Sequence, residues 1–138
     1  MMLNELPPIS AQTFTLFRDI AKIHNVHLPM LLSICYTESK LDMTAHNPRD
    51  GGSASYGVCQ VKLATARSMG FYGTPEQLSL PQVNVFYAAA YVAYLDTRYH
   101  MNKHKVASAY NAGQYTVQNK AYVSKVMYRM KEGFRWGN

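Results

Sequence analysis

Negative charge is scarce in this chain: eight Asp and Glu stand against fourteen Lys and Arg, a formal +6 over 138 residues. Such an excess keeps a small protein soluble and also suits a polyanionic partner, whether nucleic acid, an acidic membrane surface or an acidic bacterial wall. Nucleic-acid binders concentrate their cations on one helix or arm. Here the cations are scattered, the nearest cluster being Lys103, His104 and Lys105, and no nucleic-acid partner is expected. Long apolar runs are missing as well, and none approaches the ~20 residues of a membrane span, so no transmembrane segment is expected. The opening MMLNELPPIS lacks a basic stretch followed by a continuous apolar one, and no secretory signal peptide is read there.

Cysteine is nearly absent. Cys35 and Cys59 could pair, but nothing in the sequence requires it. Each lies in an apolar stretch where a free thiol behaves as a small hydrophobe, and two reduced, buried thiols are the expectation. Of the five histidines only His100 and His104 have helical i,i+4 spacing. Without a carboxylate or thiol beside them they read as a solvated face, so no metal and no cofactor is expected. Repeats and low-complexity segments are also lacking.

What is present is apolar material, 48% of the chain, enough to fill one hydrophobic core and too much for a disordered segment. A single domain over residues 1–138 is expected, with 1–9 as an N-terminal extension because Pro7-Pro8 forbids an early helix. Ser10 suits the N-cap of a helix that carries Phe14, Phe17, Ile20 and Ala21 on one face and ends near 24–26. Pro29 suits the first turn of a second helix. Its run of Met30, Leu31, Leu32, Ile34 and Cys35 looks buried nearly all round before it reaches Glu38. Residues 42–56, rich in Asn, Pro, Asp, Gly and Ser, read as a long loop or a short β-hairpin.

Beyond that loop, 57–69 reads as a helix stopped by Gly70, and Pro75 and Pro81 mark two further starts. The longest helical candidate is 82–99, with Val83, Phe86, Ala90, Ala93 and Thr97 near a 3.6-residue period. Two more follow: 103–112, ended by Gly113, and 121–131, bearing Val123, Val126, Met127 and Met130. The expected fold class is mainly α.

Glu38 is the residue with chemistry. A carboxylate that ends an apolar helix risks desolvation unless it faces a cleft. An apolar setting together with the negative end of the helix dipole would raise its pKa and keep it protonated, ready to act as an acid. Four stretches in order then carry a family resemblance. Glu38-Ser39 resembles the first motif of the lytic transglycosylases and goose-type lysozymes of glycoside hydrolase family 23. Gly57-Val58-Cys59-Gln60, with Ala64-Thr65-Ala66 after it, is similar to their second, commonly Gly-Leu-Met-Gln. Ala109-Tyr110-Asn111-Ala112-Gly113 matches the third letter for letter, and Tyr122 before Val123-Ser124-Lys125 resembles the fourth. Together these cover about 29–126. Cys59 and Val58 depart from the usual Met and Leu but stay apolar.

The resemblance implies a lysozyme-like helical domain that cleaves peptidoglycan glycan strands. In it Glu38 protonates the bond between N-acetylmuramic acid and N-acetylglucosamine, then takes the proton of the muramic C6 hydroxyl, closing a 1,6-anhydro ring. It further implies that Gln60 and the backbone of Gly57 and Val58 bind sugar amides, that Tyr110 and Tyr122 flank the carboxyl, and that Asn111 steadies the turn presenting Tyr110. Ser55 could donate to an acetamido carbonyl, and Tyr56 is the next tyrosine in line. Asp42 and Asp50 are the nearest candidates for a second carboxylate, Asp42 being read as a loop cap. A hydrolytic muramidase or a non-catalytic wall-binding protein on the same scaffold are the alternatives. A monomer is expected, acting on the periplasmic or extracellular wall and delivered as a phage or secretion-system component.

Overall fold

A computed structural model gives the positions of residues 5–50 and 53–137, the side chains of 49 and 50 excepted. The first helix, α1 (Ala11–His24), starts where Ser10 Oγ accepts the Thr13 N–H at 3.1 Å. It stops at Asn25, which takes the left-handed conformation at φ 54°. The face it buries carries Phe17, Ile20 and Ala21, as expected from the period.

Helix α2 (Leu28–Ser39) has Pro29 in its first turn and buries every residue from Met30 to Cys35. Burial on all sides makes it the hub: α1, α5 (Pro81–Arg98) and α7 (Lys120–Glu132) all pack on it, and α6 (Lys103–Ala112) bridges α5 and α7. Its last turn emerges from this core, where Lys40 and Leu41, both at positive φ, turn the chain away.

The Gly- and Ser-rich region forms an antiparallel sheet in which β3 (Ser53–Tyr56) lies between β2 (His46–Asp50) and β4 (Val61–Lys62). His46 faces Tyr56, and Tyr56 also faces Val61. The expected hairpin is therefore present and carries a third strand.

Three expectations are corrected. The helix expected over 57–69 is confined to α3 (Leu63–Ser68), because residues 57–60 form a turn in which Gly57 (φ 78°) and Gln60 (φ 50°) are both left-handed. The buried face of α5 carries Val85, Ala88, Ala89, Val92 and Leu95, whereas Val83, Phe86, Ala90 and Ala93 are only half-buried and Thr97 is exposed. That helix is apolar around most of its circumference, so its period admits two phases, and the core selects the one that turns small alanines inward.

Cys35 and Cys59 are not free thiols but form a disulfide, both half-cystines fully buried. The two apolar stretches that carry them pack against each other, which sequence separation alone does not reveal. Closing a loop of this length, with 24 residues of separation, contributes on the order of 3 kcal/mol in the chain-entropy account.

The short helix α4 (Pro75–Leu78) begins with a capping box between Thr74 and Gln77. A two-residue parallel pair, β1 (Pro8–Ile9) with β5 (Arg135–Trp136), joins the two end segments, and Trp136 meets Phe14 edge-on at 5.3 Å. Among the described residues no helix is long and apolar enough to cross a membrane.

Two histidines tie this packing to pH. His24 Nε2 is buried without a hydrogen-bond partner, its ring edge-on to Phe86 at 4.4 Å, and burial lowers its pKa below 6.5. His27 is lowered too, by burial first and the Lys103 cation second, against an opposing pull from Asp96. Both charge more readily in the unfolded chain, so unfolding takes up protons as pH falls through this range and stability drops with it. Thermal melts should show a Tm that declines from neutral pH toward about pH 5, and His24→Leu should make that decline shallower.

Candidate active site

Residues 57–60 are a turn whose polar backbone atoms are captured one by one. Asn84, fully buried on α5, donates from Nδ2 to the carbonyls of Tyr56 (2.6 Å) and Leu78 (2.9 Å) and accepts the Cys59 N–H at 2.8 Å. Gly57 donates its N–H to the Ala45 carbonyl at 2.9 Å, and Ser39 Oγ donates to the Val58 carbonyl at 2.6 Å. Ser39, at the end of α2, thereby ties the helix bearing Glu38 to the turn. Gln60 is held left-handed while its own Nε2 donates to the Gly57 carbonyl at 2.9 Å. A non-glycine in that conformation costs on the order of 1 kcal/mol, and such strain persists where the surroundings over-determine it.

In front of this turn lies an open groove lined by Glu38, Gln60, Val61, Lys62, Thr65, Tyr91, Tyr110 and the 111–113 stretch. Glu38 sits half-buried in the last turn of α2, and the Tyr122 hydroxyl on α7 donates to its Oε2 at 2.7 Å. Tyr110, expected to flank the carboxyl, lines the same groove, and its hydroxyl, at the buried end of α6, donates to the Cys59 carbonyl at 2.7 Å. Burial, and next the Glu38 carboxylate, push that phenol well above its ordinary pKa, so it remains a donor.

Among the described residues lining the groove, Glu38 is the one acid. Asp42 is turned to its own loop, accepting from the Thr44 N–H (2.9 Å) and hydroxyl (2.8 Å). Those two bonds lower its pKa and bear out its reading as a cap. The side chain of Asp50 lies outside the described residues.

A family model for the transglycosylase SLT domain matches residues 15–127. The chain belongs to that family. A search of curated proteins returned no match. Among solved structures, the SLT domain is similar to an inactive glutamate-to-glutamine mutant of the lytic transglycosylase Slt from Pseudomonas aeruginosa. That likeness has a TM-score of 0.67 at 24% identity and covers 78% of this chain and 17% of that one. It is similar also to the 70 kDa soluble lytic transglycosylase of Escherichia coli, with a TM-score of 0.66 at 22% identity over 89% of this chain and 20% of that one. A complex of the 70-kDa soluble lytic transglycosylase with bulgecin A gives a TM-score of 0.62 at 22% identity, covering 83% of this chain and 19% of that one. The chain thus spans about a fifth of these structures, and at such identities the likeness shows a shared lysozyme-like fold.

Within the SLT domain the expected site residues fall into two sets. Glu38, Gln60, Tyr110 and Asn111 line the groove, and Tyr122 reaches Glu38 from α7. Asn111 accepts from Asn119 Nδ2 at 2.9 Å, which links the end of α6 to the start of α7, close to its expected part in steadying a turn. Ser55, Gly57 and Val58, expected to contact sugars, are all buried, Ser55 in the middle strand and the other two in the turn itself, and the Gly57 N–H and Val58 carbonyl already have internal partners. Tyr56 stacks on His46 at 5.1 Å and is not part of the groove lining.

Of the residues that line or support the SLT domain site, Lys62, Tyr91 and Asn84 escaped the sequence. Tyr91 on α5 lines the groove, its ring 5.5 Å from that of Tyr110 and stacked on Tyr94, with its pKa raised chiefly by burial. Among eleven tyrosines nothing local marks it. Asn84 did leave a signal, being a lone amide inside the apolar run of α5, where a polar side chain must find partners. The same residue explains Gly57. A Cβ there would strike the Asn84 side-chain amide, and the positive φ disfavours any other residue. Gly57→Ala and Asn84→Ala should each lower unfolding free energy by about 2 kcal/mol or more in urea titrations. The double variant should lose less than the two separate losses together, because removing the amide removes the clash.

Proposed function

We propose that this domain is a peptidoglycan lytic transglycosylase in which Glu38 acts first as acid and then as base. One observation carries the reading: among the described groove residues a single acid, at the end of an apolar helix, with the Tyr122 phenol donating to it at 2.7 Å. Membership of the SLT family supports it, as do the names of the similar structures.

Glu38 donates its proton to the glycosidic oxygen between N-acetylmuramic acid and N-acetylglucosamine, and that oxygen leaves with the N-acetylglucosamine side as a hydroxyl. The acetamido oxygen of the muramic sugar stabilises the positive charge left on the anomeric carbon. The Glu38 carboxylate then removes the proton of the muramic C6 hydroxyl, whose oxygen attacks the anomeric carbon and closes the 1,6-anhydro ring. Atoms and protons balance without water, and Glu38 ends as it began.

The second carboxylate that a hydrolase uses to activate water has no counterpart among the described groove residues. Tyr122 holds the carboxyl in one orientation through both steps, Gln60 and Asn111 offer amides to the sugars, and Lys62 places a cation at the rim. The scattered excess of Lys and Arg favours approach to an acidic wall. The site of action is therefore the periplasmic or extracellular face of the cell, and the strands themselves are the partner.

Glu38→Gln should abolish clearing of purified sacculi while leaving the melting curve close to that of the parent. Mass analysis of the parent's products should show muramic ends lighter by one water than hydrolysis gives. Reducing-end products of ordinary mass would make the enzyme a muramidase instead. Tyr122→Phe, which keeps the ring and removes the donor, should lower kcat by about ten- to a hundredfold with KM little changed.

A further inference from the structure

We infer that the Cys35–Cys59 disulfide is a positioning element of the active site, so that the activity proposed above appears only once the bridge has formed. Cys35 lies one helical turn before Glu38 on α2, and Cys59 immediately precedes Gln60 and carries the carbonyl that accepts the Tyr110 hydroxyl. One covalent bond thus joins the segment that bears the acid to the segment that bears the groove amide and anchors the buried phenol. Besides this bond, α2 is tied to the turn by the Ser39 hydroxyl on the Val58 carbonyl.

Two non-bonded sulfurs need more room than two bonded ones. Cys35, Cys59 and their neighbours Ile34 and Val58 are all fully buried, and a protein interior packs as densely as an organic crystal, so the difference has to be taken up by moving neighbouring atoms. Reduction therefore moves the turn relative to the end of α2, carrying Gln60 and the Tyr110 acceptor away from Glu38. A displacement of roughly 1 Å at reacting groups costs on the order of a hundredfold in rate.

Forming the bridge takes one hydrogen from each thiol. Two electrons and two protons pass to a disulfide oxidant through a mixed-disulfide stage, a small-molecule disulfide leaving as two thiol molecules and a protein thiol–disulfide exchanger as its dithiol. Because both sulfurs are buried, exchange requires the chain to be folding or locally open, and the state acquired then persists. In a reducing compartment the domain is a folded dithiol with its acid misaligned; in an oxidising one it becomes competent.

This inference rests on the reading of Glu38 as the acid, and its test separates the two. Enzyme folded with a thiol reductant is compared with enzyme folded with oxidised glutathione, thiols being counted after denaturation. Both act on soluble glycan strands, and 13C NMR follows the titration of the Glu38 carboxyl. The pair Cys35→Val, Cys59→Ala keeps apolar volume at both positions and lacks the bridge.

The dithiol enzyme and this variant should retain native circular dichroism and lose about tenfold or more in kcat, with KM within about twofold and the Glu38 titration displaced. Re-oxidation should restore the dithiol enzyme and not the variant. A smaller loss overturns the inference. So does unfolding of both, since the bridge would then serve the fold and not the site. Should the oxidised enzyme release no product at all, the proposed function fails, and an identical Glu38 titration in the two states overturns this inference separately.

Discussion

Residues 57–60 run through the interior as a turn, where backbone N–H and C=O groups have no water to fall back on and must each find a partner. They find them on three different helices. Asn84 of α5 takes the Cys59 N–H, Ser39 of α2 takes the Val58 carbonyl, Tyr110 of α6 takes the Cys59 carbonyl, and the disulfide fastens the same residue to α2. Each such bond is worth about 1 kcal/mol net, but leaving any one of these buried groups unpaired costs more than making it returns. The turn is therefore an all-or-none joint. Three helices share it, so the groove in front of it inherits their rigidity.

The same joint lets a half-buried acid coexist with a packed core. Glu38 stands where the fully buried run of α2 gives way to solvent, and the Tyr122 phenol supplies a polar contact that fixes its direction. A hydroxyl donor steadies a carboxylate without neutralising it, as a Lys or Arg in its place would do. Tyr110 divides the labour differently: its hydroxyl serves the backbone and its ring forms the groove wall against Tyr91. Two tyrosines that the resemblance treats alike thus serve unlike ends.

Helix ends were readable from single residues, since Ser10, Pro29, Pro81 and Gly113 act through local stereochemistry that needs no knowledge of the fold. The acid and its groove partners were readable because four short motifs keep their order. What stayed hidden depends on contacts distant in the chain. The phase of α5 was undecidable while its circumference was nearly all apolar, and Cys35 gave no hint of Cys59 until α2 and the turn were seen side by side. Gly57 and Val58 belong by resemblance to the second motif, and Ser55 stands two residues before it, yet the sequence could not say which of these residues face the groove and which hold it up.

The connection between α6 and α7 is organised by a single buried hydroxyl. Ser108 Oγ accepts the Thr116 N–H and lies within hydrogen-bond reach of the Thr116 carbonyl and Asn119 Oδ1, while Asn119 Nδ2 donates back to the Ser108 carbonyl and to Asn111. Between these anchors Gln114, Tyr115, Val117 and Gln118 are exposed. The loop is thus clamped at its feet and open at its crown. Substitution in the crown leaves Ser108 and Asn119 in place, so the loop can vary in sequence while the start of α7, and Tyr122 on it, keeps its position.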